Sequence, residues 1–157
     1  MPRARLVARK RDGRYSLRLS DDVRSLLAQL LDELRELLTS AQPDDGRLQR
    51  LFPPGYSDDA EADAEYQRFM RSELLTSRLS AVEQVHESLQ ATELTEAQLA
   101  AWMTSLNSVR LVIGTLLDVS EDDDLTALSP DDPSFGGYVL YSELSVILEH
   151  IVAALSD

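Results

Sequence analysis

The sequence contains no cysteine, few aromatic residues and no long apolar run. Without cysteine, disulfides, thiolate metal sites and thiol nucleophiles are excluded, and the protein cannot respond to oxidants through its own thiols. No segment approaches the ~20 apolar residues of a membrane span, and no apolar stretch follows residues 1–5 as it would in a secretory leader. We therefore expect a cytoplasmic protein that makes no membrane contact.

Metal and catalytic motifs are also scarce. The only histidines are His86 and His150, and Glu83 precedes His86 at the Glu-x-x-His spacing of a di-iron ligand pair. The second such pair is missing because Ile147 precedes His150, so we interpret His86 as a packed, hydrogen-bonded histidine. Residues 122–124 are acidic but lack the spaced ligands of a calcium loop, and the six glycines form no phosphate-binding loop. We predict a non-enzyme without a metal or cofactor.

The charge of −13 is unevenly distributed along the 157 residues. Seven of the 15 basic residues lie in the first 18 positions, where Asp12 is the single acidic residue. That segment carries +6 and the remainder carries −19. An acidic body of this kind repels a phosphate backbone, so general nucleic-acid binding through the body is disfavoured.

Residues 4–19 are predicted to form a β-hairpin, because Asp12-Gly13 favours a two-residue turn and both flanks alternate in polarity. Such a turn would place one apolar set of side chains on the helices: Leu6, Ala8 and Lys10 paired with Leu19, Leu17 and Tyr15. The opposite face would pair Val7 with Arg18 and Arg9 with Ser16. Six arginines would then share that outer face: Arg3, Arg5, Arg9, Arg11, Arg14 and Arg18.

This arginine face has three interpretations. It is solvated or paired with the acidic body; it contacts an acidic protein partner or a second copy of the chain, for example by strand addition; or it binds DNA or RNA phosphates. The nucleic-acid interpretation is the weakest of the three, because no aromatic stacking set accompanies the arginines.

The remaining residues, 20–157, are predicted to form a helical bundle. Ser20 caps a first helix that ends near Thr39, and a turn or two of helix follows at residues 47–52. Ser57 caps a helical region of one long helix or two, with a break or kink near Ser72. Thr95 and Gln98 form a capping box for a central helix, and a last helix follows an acidic loop at residues 119–134. The fold class is thus mainly α: one domain, 1–157, with about five helices and an N-terminal two-stranded hairpin.

Arg110 is the one charge within the apolar stripe of the predicted central helix, and Asn107 lies one turn earlier. We expect both to be partly buried in one polar island. Two interpretations of Arg110 remain open: an ion pair with a carboxylate of a neighbouring helix that fixes packing, or a site for an anion or a partner.

Four segments carry a resemblance to a known family: residues 50–56 (RLFPPGY), 63–66 (DAEY), 73–79 (ELLTSRL) and 106–115 (LNSVRLVIGT). In order and spacing they resemble an actinobacterial family of small proteins of unknown function, which includes a regulator of oxidative stress. The resemblance implies a cytoplasmic regulatory protein. A cysteine-based sensing mechanism does not transfer, because this chain has no cysteine.

These observations favour a regulatory interaction protein that acts through protein contacts, with transcription or the stress response as the expected setting. The alternative is a DNA-binding regulator that uses the arginine face of the hairpin. A protein partner is the leading expectation, with a homodimer and nucleic acid as further candidates.

Overall fold

The computed structural model describes residues 5–41, 45–52, 60–117, 130–133 and 135–156, without the side chains of residues 60–63 and 67. Within these ranges the protein is mainly α-helical, as predicted, with four α-helices and a small antiparallel sheet. The elements, in chain order, are β1 (Val7–Arg9), β2 (Tyr15–Leu17), α1 (Asp21–Ser40), a 3-10 helix (Gly46–Leu48), α2 (Ala60–Ser88), β3 (Glu93–Leu94), α3 (Glu96–Leu117) and α4 (Phe135–Ser156).

The hairpin forms where it was predicted, but its turn holds three residues instead of two. The Lys10 amide donates to the Arg14 carbonyl at 2.7 Å, and the Gly13 amide donates to the Lys10 carbonyl at 3.1 Å. Gly13 has a φ of 86°, which is the left-handed conformation that closes a three-residue turn with a bulge. The two-residue turn was therefore wrong.

This extra turn residue shifts the register of β1 against β2 by one. Val7 pairs with Leu17 and Arg9 pairs with Tyr15. Because neighbouring residues of a strand point to opposite faces, Val7 moves from the predicted outer face into the core, where it is 2% exposed.

A third strand, β3, was not predicted. It adds to the free edge of β2, with Tyr15 opposite Leu94 and Ser16 opposite Glu93. Two residues between α2 and α3 give almost no period-two signal, so only the tertiary structure identifies them. The strand order β1-β2-β3 leaves β1 at one edge of the described sheet.

Two of the predicted helix caps are present, and the third, at Ser57, lies outside the described residues. The Ser20 hydroxyl accepts from the Val23 amide at 3.2 Å. Thr95 and Gln98 exchange side-chain-to-backbone bonds of 2.9 and 3.1 Å, so the capping box of α3 is confirmed.

The break predicted near Ser72 was wrong, because α2 is one continuous helix of 29 residues. The phase change in its apolar pattern has another cause. Tyr66 and Phe69 are 58% and 62% exposed, so the N-terminal part of α2 does not contribute these side chains to the core. One continuous helix therefore occupies the region for which one or two were expected, and the described ranges hold four α-helices instead of about five.

Helix α3 is central, as expected, and contacts every other α-helix. Leu99, Trp102 and Leu106 on this helix are fully buried. The Trp102 indole donates to the Ser88 hydroxyl at 2.8 Å, which satisfies its polar atom inside the core.

Arg24 on α1 is the least expected core residue, since it is only 4% exposed. Its guanidinium donates to four backbone carbonyls: Leu17 at 3.3 Å, Leu19 at 3.2 Å, Leu89 at 2.6 Å and Ala91 at 2.8 Å. Leu17 is the last residue of β2 and Leu19 lies two residues later. Leu89 and Ala91 lie just beyond the end of α2. One side chain thus joins the hairpin, α1 and the end of α2.

We predict that Arg24→Ala lowers the free energy of unfolding by about 3–5 kcal/mol, because it leaves buried carbonyls without a donor. Urea denaturation measures the change. Arg35→Ala is the matched control on the same helix: Arg35 is partly exposed, and its solvent-screened ion pairs with Asp32 and Glu83 are worth less than about 1 kcal/mol. Equal effects of the two substitutions would contradict the structural role of Arg24.

Candidate functional site

The described hairpin arginines, Arg5, Arg9, Arg11, Arg14 and Arg18, are all exposed, and Arg3 lies outside the described residues. The observed register does not bring them to one face. Arg9 points to the same side of the sheet as Val7, whereas Arg14 and Arg18 alternate to the other side. The single arginine face was therefore wrong, while partner or anion binding by these arginines stays a prediction.

Part of the hairpin charge is neutralised by β3. The Lys10 ammonium forms an ion pair with Glu93, and Nη1 of Arg14 lies 4.0 Å from Oε2 of the same residue. The hydrogen bond that Lys10 donates to the Glu93 carboxylate raises the pKa of Lys10 above its ordinary value. Glu93 thus orients two of the seven basic side chains along the edge of the sheet.

Arg110 and Asn107 form the predicted polar island on α3. The Arg110 Nη2 donates to Oδ1 of Asn107 at 3.2 Å, and its Nη1 donates to the Tyr141 hydroxyl on α4 at 3.1 Å. The guanidinium also lies over the Tyr141 ring, 5.3 Å from its centroid. The ion pair that one interpretation expected is replaced, among the described residues, by these neutral partners.

Arg78 on α2 is a second inward-facing arginine that the sequence analysis did not identify as a site residue. It donates to the Ser108 hydroxyl at 2.8 Å and to the Leu51 carbonyl at 3.3 Å. Burial lowers the pKa of its guanidinium. A signal was present: Arg78 continues the inward-facing spacing of Leu75, Val82 and Val85.

The segment around the 3-10 helix supplies part of the surroundings of Arg78. Asp45 precedes that helix and accepts hydrogen bonds from the Arg47 side chain and backbone, which lower the pKa of Asp45 to about 2 and cap the helix. Leu51 is buried, and the Phe52 ring lies 4.3 Å from the guanidinium carbon of Arg71. The segment thereby packs against α2.

Arg78 and Arg110 line the same cleft between α2, α3 and α4, which we call the arginine cleft. Its volume is about 690 Å³. Its lining residues are Arg78, Met103, Thr104, Asn107, Arg110, Ser145, Leu148, Glu149, Val152 and Ala153. Polar groups of α2 and α3 thus face a partly apolar wall of α4.

The two histidines serve as packing contacts. His86 is half-buried, and its Nε2 lies 3.1 Å from Oδ1 of Asp32 without hydrogen-bond geometry, so the predicted hydrogen bond does not form. Glu83 pairs with Arg35 at 2.6 Å. On α4, Nδ1 of His150 accepts from the Leu6 amide at 3.3 Å and ties the hairpin to that helix.

No group of three potential metal ligands lies together among the described residues, and the acidic residues 122–124 lie outside that description.

A family profile, described as a domain of unknown function (DUF2017), matches residues 3–155. The chain belongs to the DUF2017 family. It is 27% identical over 148 residues to a protein of Mycobacterium leprae (strain TN) named "Putative oxidative stress regulator AosR", a match that covers 80% of this chain and 67% of the relative. No solved structure matches the chain.

Helix α4 of this DUF2017 protein is more apolar than the sequence analysis allowed. It has 22 residues, and the mean hydropathy of its most apolar 18-residue stretch is 1.5, so length and composition alone would permit a membrane span. The expectation that no stretch approaches the length and composition of a membrane span was therefore too strict. In the structure α4 packs on α3 and β1, with Leu144 and Ile151 in the core.

The outward side of α4 borders a second depression, which we call the apolar groove. Its volume is about 460 Å³, and it lies between the hairpin, α1 and α4. Its lining residues include Leu6, Arg18, Leu26, Leu140, Glu143 and Val146. Leu26 and Val146 are 38% and 47% exposed, so the groove presents large apolar side chains to solvent.

We predict that Arg110→Met changes the free energy of unfolding by less than about 1.5 kcal/mol. Its hydrogen bonds are to neutral groups, and methionine preserves much of the packing of the stem. Urea denaturation tests this, with Leu106→Ala as a control on the same helix. Removing that fully buried side chain is expected to cost about 2–5 kcal/mol. An Arg110→Met loss as large as the control would identify a structural ion partner.

Proposed function

We propose that this DUF2017 protein is a regulatory interaction protein that acts through contacts with a protein partner rather than through catalysis. The apolar groove is the observation that carries the proposal. Its occupant is an amphipathic helix of a partner protein, with carboxylates beside its apolar face. The named relative, a putative oxidative stress regulator, supports a regulatory role in the stress response or in transcription.

The exposed apolar area supports a protein partner. Only 28% of the most apolar 18 residues of α4 are buried, although a helix of this hydropathy is stabilised by removal from water. Leu26 of α1 extends the same apolar area across the groove. Contiguous apolar surface with a polar rim is typical of protein interfaces, and a phosphate backbone would not cover it.

Charge at the groove supports the stated chemistry of the partner. Arg18 lines the groove on the side of the hairpin, the part of the chain in which basic residues outnumber acidic ones. A carboxylate on the partner helix would be attracted to the positive charge on this side. The acidic body would repel an acidic partner that approached any other part of the surface. Glu143 on the α4 side adds a second charge that restricts the orientation of the bound helix.

We predict that Val146→Asp raises the dissociation constant for the partner at least tenfold, because the interface would bury a carboxylate against apolar atoms. The wild-type chain first captures the partner from a lysate of its own host. The captured protein is identified by mass spectrometry, purified and titrated against wild type and variants by calorimetry.

Val152→Asp is the matched control. Val152 is on the same helix and is 49% exposed, but it lines the arginine cleft instead of the groove. The dissociation constant of the Val152→Asp variant for the partner should stay within threefold of the wild-type value. Equal weakening by both substitutions contradicts docking in the groove. A wild-type dimer that Val146→Asp converts to a monomer in sedimentation velocity would instead make a second copy the occupant.

The DNA-binding alternative has one observation in its favour, the exposure of the hairpin arginines. The protein-contact proposal predicts no binding of duplex DNA in fluorescence anisotropy, even at low salt. DNA binding that weakens steeply as salt rises, and that disappears when Arg5, Arg9, Arg14 and Arg18 are all changed to serine, would support the alternative.

A further inference from the structure

The arginine cleft holds two guanidinium groups without acidic partners in the described ranges. Neither Arg78 nor Arg110 takes part in the ion pairs described for other arginines, such as Arg35 with Glu83. Both are partly buried, and Nε of each is buried without a hydrogen-bond partner. A desolvated positive charge with neutral neighbours is stabilised when an anion approaches it.

The other polar groups of the cleft also favour an anion. Asn107 uses its side-chain oxygen as acceptor for Arg110, so its amide group remains as a donor in the cleft. Each guanidinium has five N–H donors, of which the described hydrogen bonds of Arg78 use two. Thr104 adds a hydroxyl to the lining. Donors therefore predominate on the α2 and α3 side.

The opposite wall is partly apolar, and its apolar part sets the kind of anion that fits. Leu148 and Val152 of α4 line the cleft together with Met103 of α3, beside the polar Ser145 and Glu149. Its volume of about 690 Å³ lies within the range of pockets that hold small organic ligands and exceeds what a single inorganic ion fills. The lining thus matches a molecule with one charged end and one apolar end.

We propose that the arginine cleft is a binding site for a small organic oxyanion, a carboxylate or a phosphate monoester with an apolar body. The oxyanion lies between Arg78 and Arg110, and the apolar body contacts the α4 wall. Glu149 also lines the cleft, but it is exposed and forms none of the ion pairs of the described residues. This inference does not rest on the apolar groove, which is a different surface.

Calorimetry on the purified full chain at constant ionic strength tests the proposal with three probes of equal chain length: hexanoate, hexyl phosphate and 1-hexanol. At least one of the two anions is expected to bind at least tenfold more tightly than the neutral alcohol. The tighter of the two anions identifies the head group. Equal binding of all three probes, or no binding of either anion, would overturn the proposal.

Two substitutions locate the bound anion. Arg110→Gln should weaken binding about tenfold or more, because charge-assisted hydrogen bonds are lost. Arg35→Gln removes the same charge from α1, outside the lining of the cleft, and should leave affinity within threefold.

Ala153→Glu keeps the test valid if Arg110→Gln fails to fold, since Ala153 is exposed on α4 and lines the cleft. The added carboxylate should also weaken binding at least tenfold, whereas the uncharged Ala153→Gln should retain it within threefold. Binding that survives Ala153→Glu unchanged would overturn the proposal.

Discussion

The fold depends on how one buried charge is satisfied. Arg24 carries its guanidinium into the core and donates to carbonyls from the hairpin and from the end of α2. The carbonyls that follow a helix carry the negative end of its dipole, so this placement stabilises the cation without a carboxylate. A lone hairpin is marginally stable, and here it gains its position from Arg24 and from the bond between the Leu6 amide and His150. Because the hairpin forms one wall of the apolar groove, the shape of that groove follows from the same contacts.

Three helices each direct one arginine inward, and the difference between these arginines explains why one is structural and two face a cleft. The Arg24 guanidinium donates to four carbonyls, and each of its three nitrogens donates at least one of these hydrogen bonds. Arg78 and Arg110 have two neutral acceptors each and a buried Nε without a partner. An inward-facing arginine thus has every nitrogen hydrogen-bonded on α1, whereas the arginines on α2 and α3 each keep a buried Nε without a partner. Incomplete satisfaction beside an open volume is the physical basis of a ligand site.

The helices were predictable from the sequence because their signals are local: Ser20 as a cap, the Thr95 and Gln98 box, and the apolar spacing of α3. The register of the hairpin was not, because Asp12-Gly13 is compatible with a two-residue turn and also with a three-residue turn that ends on Gly13. The alternation in polarity does not determine whether Val7 or Ala8 faces the core. The tertiary contacts of β1 with α4 determine it. Arg24 continues the spacing of Leu27, Leu31 and Leu34, yet its acceptors lie 65 and 67 residues away in Leu89 and Ala91. No local pattern could identify them.

Helix α4 relates the two surfaces, since its side chains line both the arginine cleft and the apolar groove. Its position against α3 is fixed by two close approaches. A Cβ at Gly114 would lie 3.2 Å from Cε2 of Tyr141 on α4, and one at Gly137 would lie 3.1 Å from Cδ2 of Leu117 on α3. A side chain at either glycine would therefore require Tyr141 or Leu117 to move by a few tenths of an ångström. Any part of that movement taken up by α4 would reach the groove and the cleft together, because α4 lines both. The two glycines thus allow the close contact of α3 and α4 on which both surfaces depend, although they line neither.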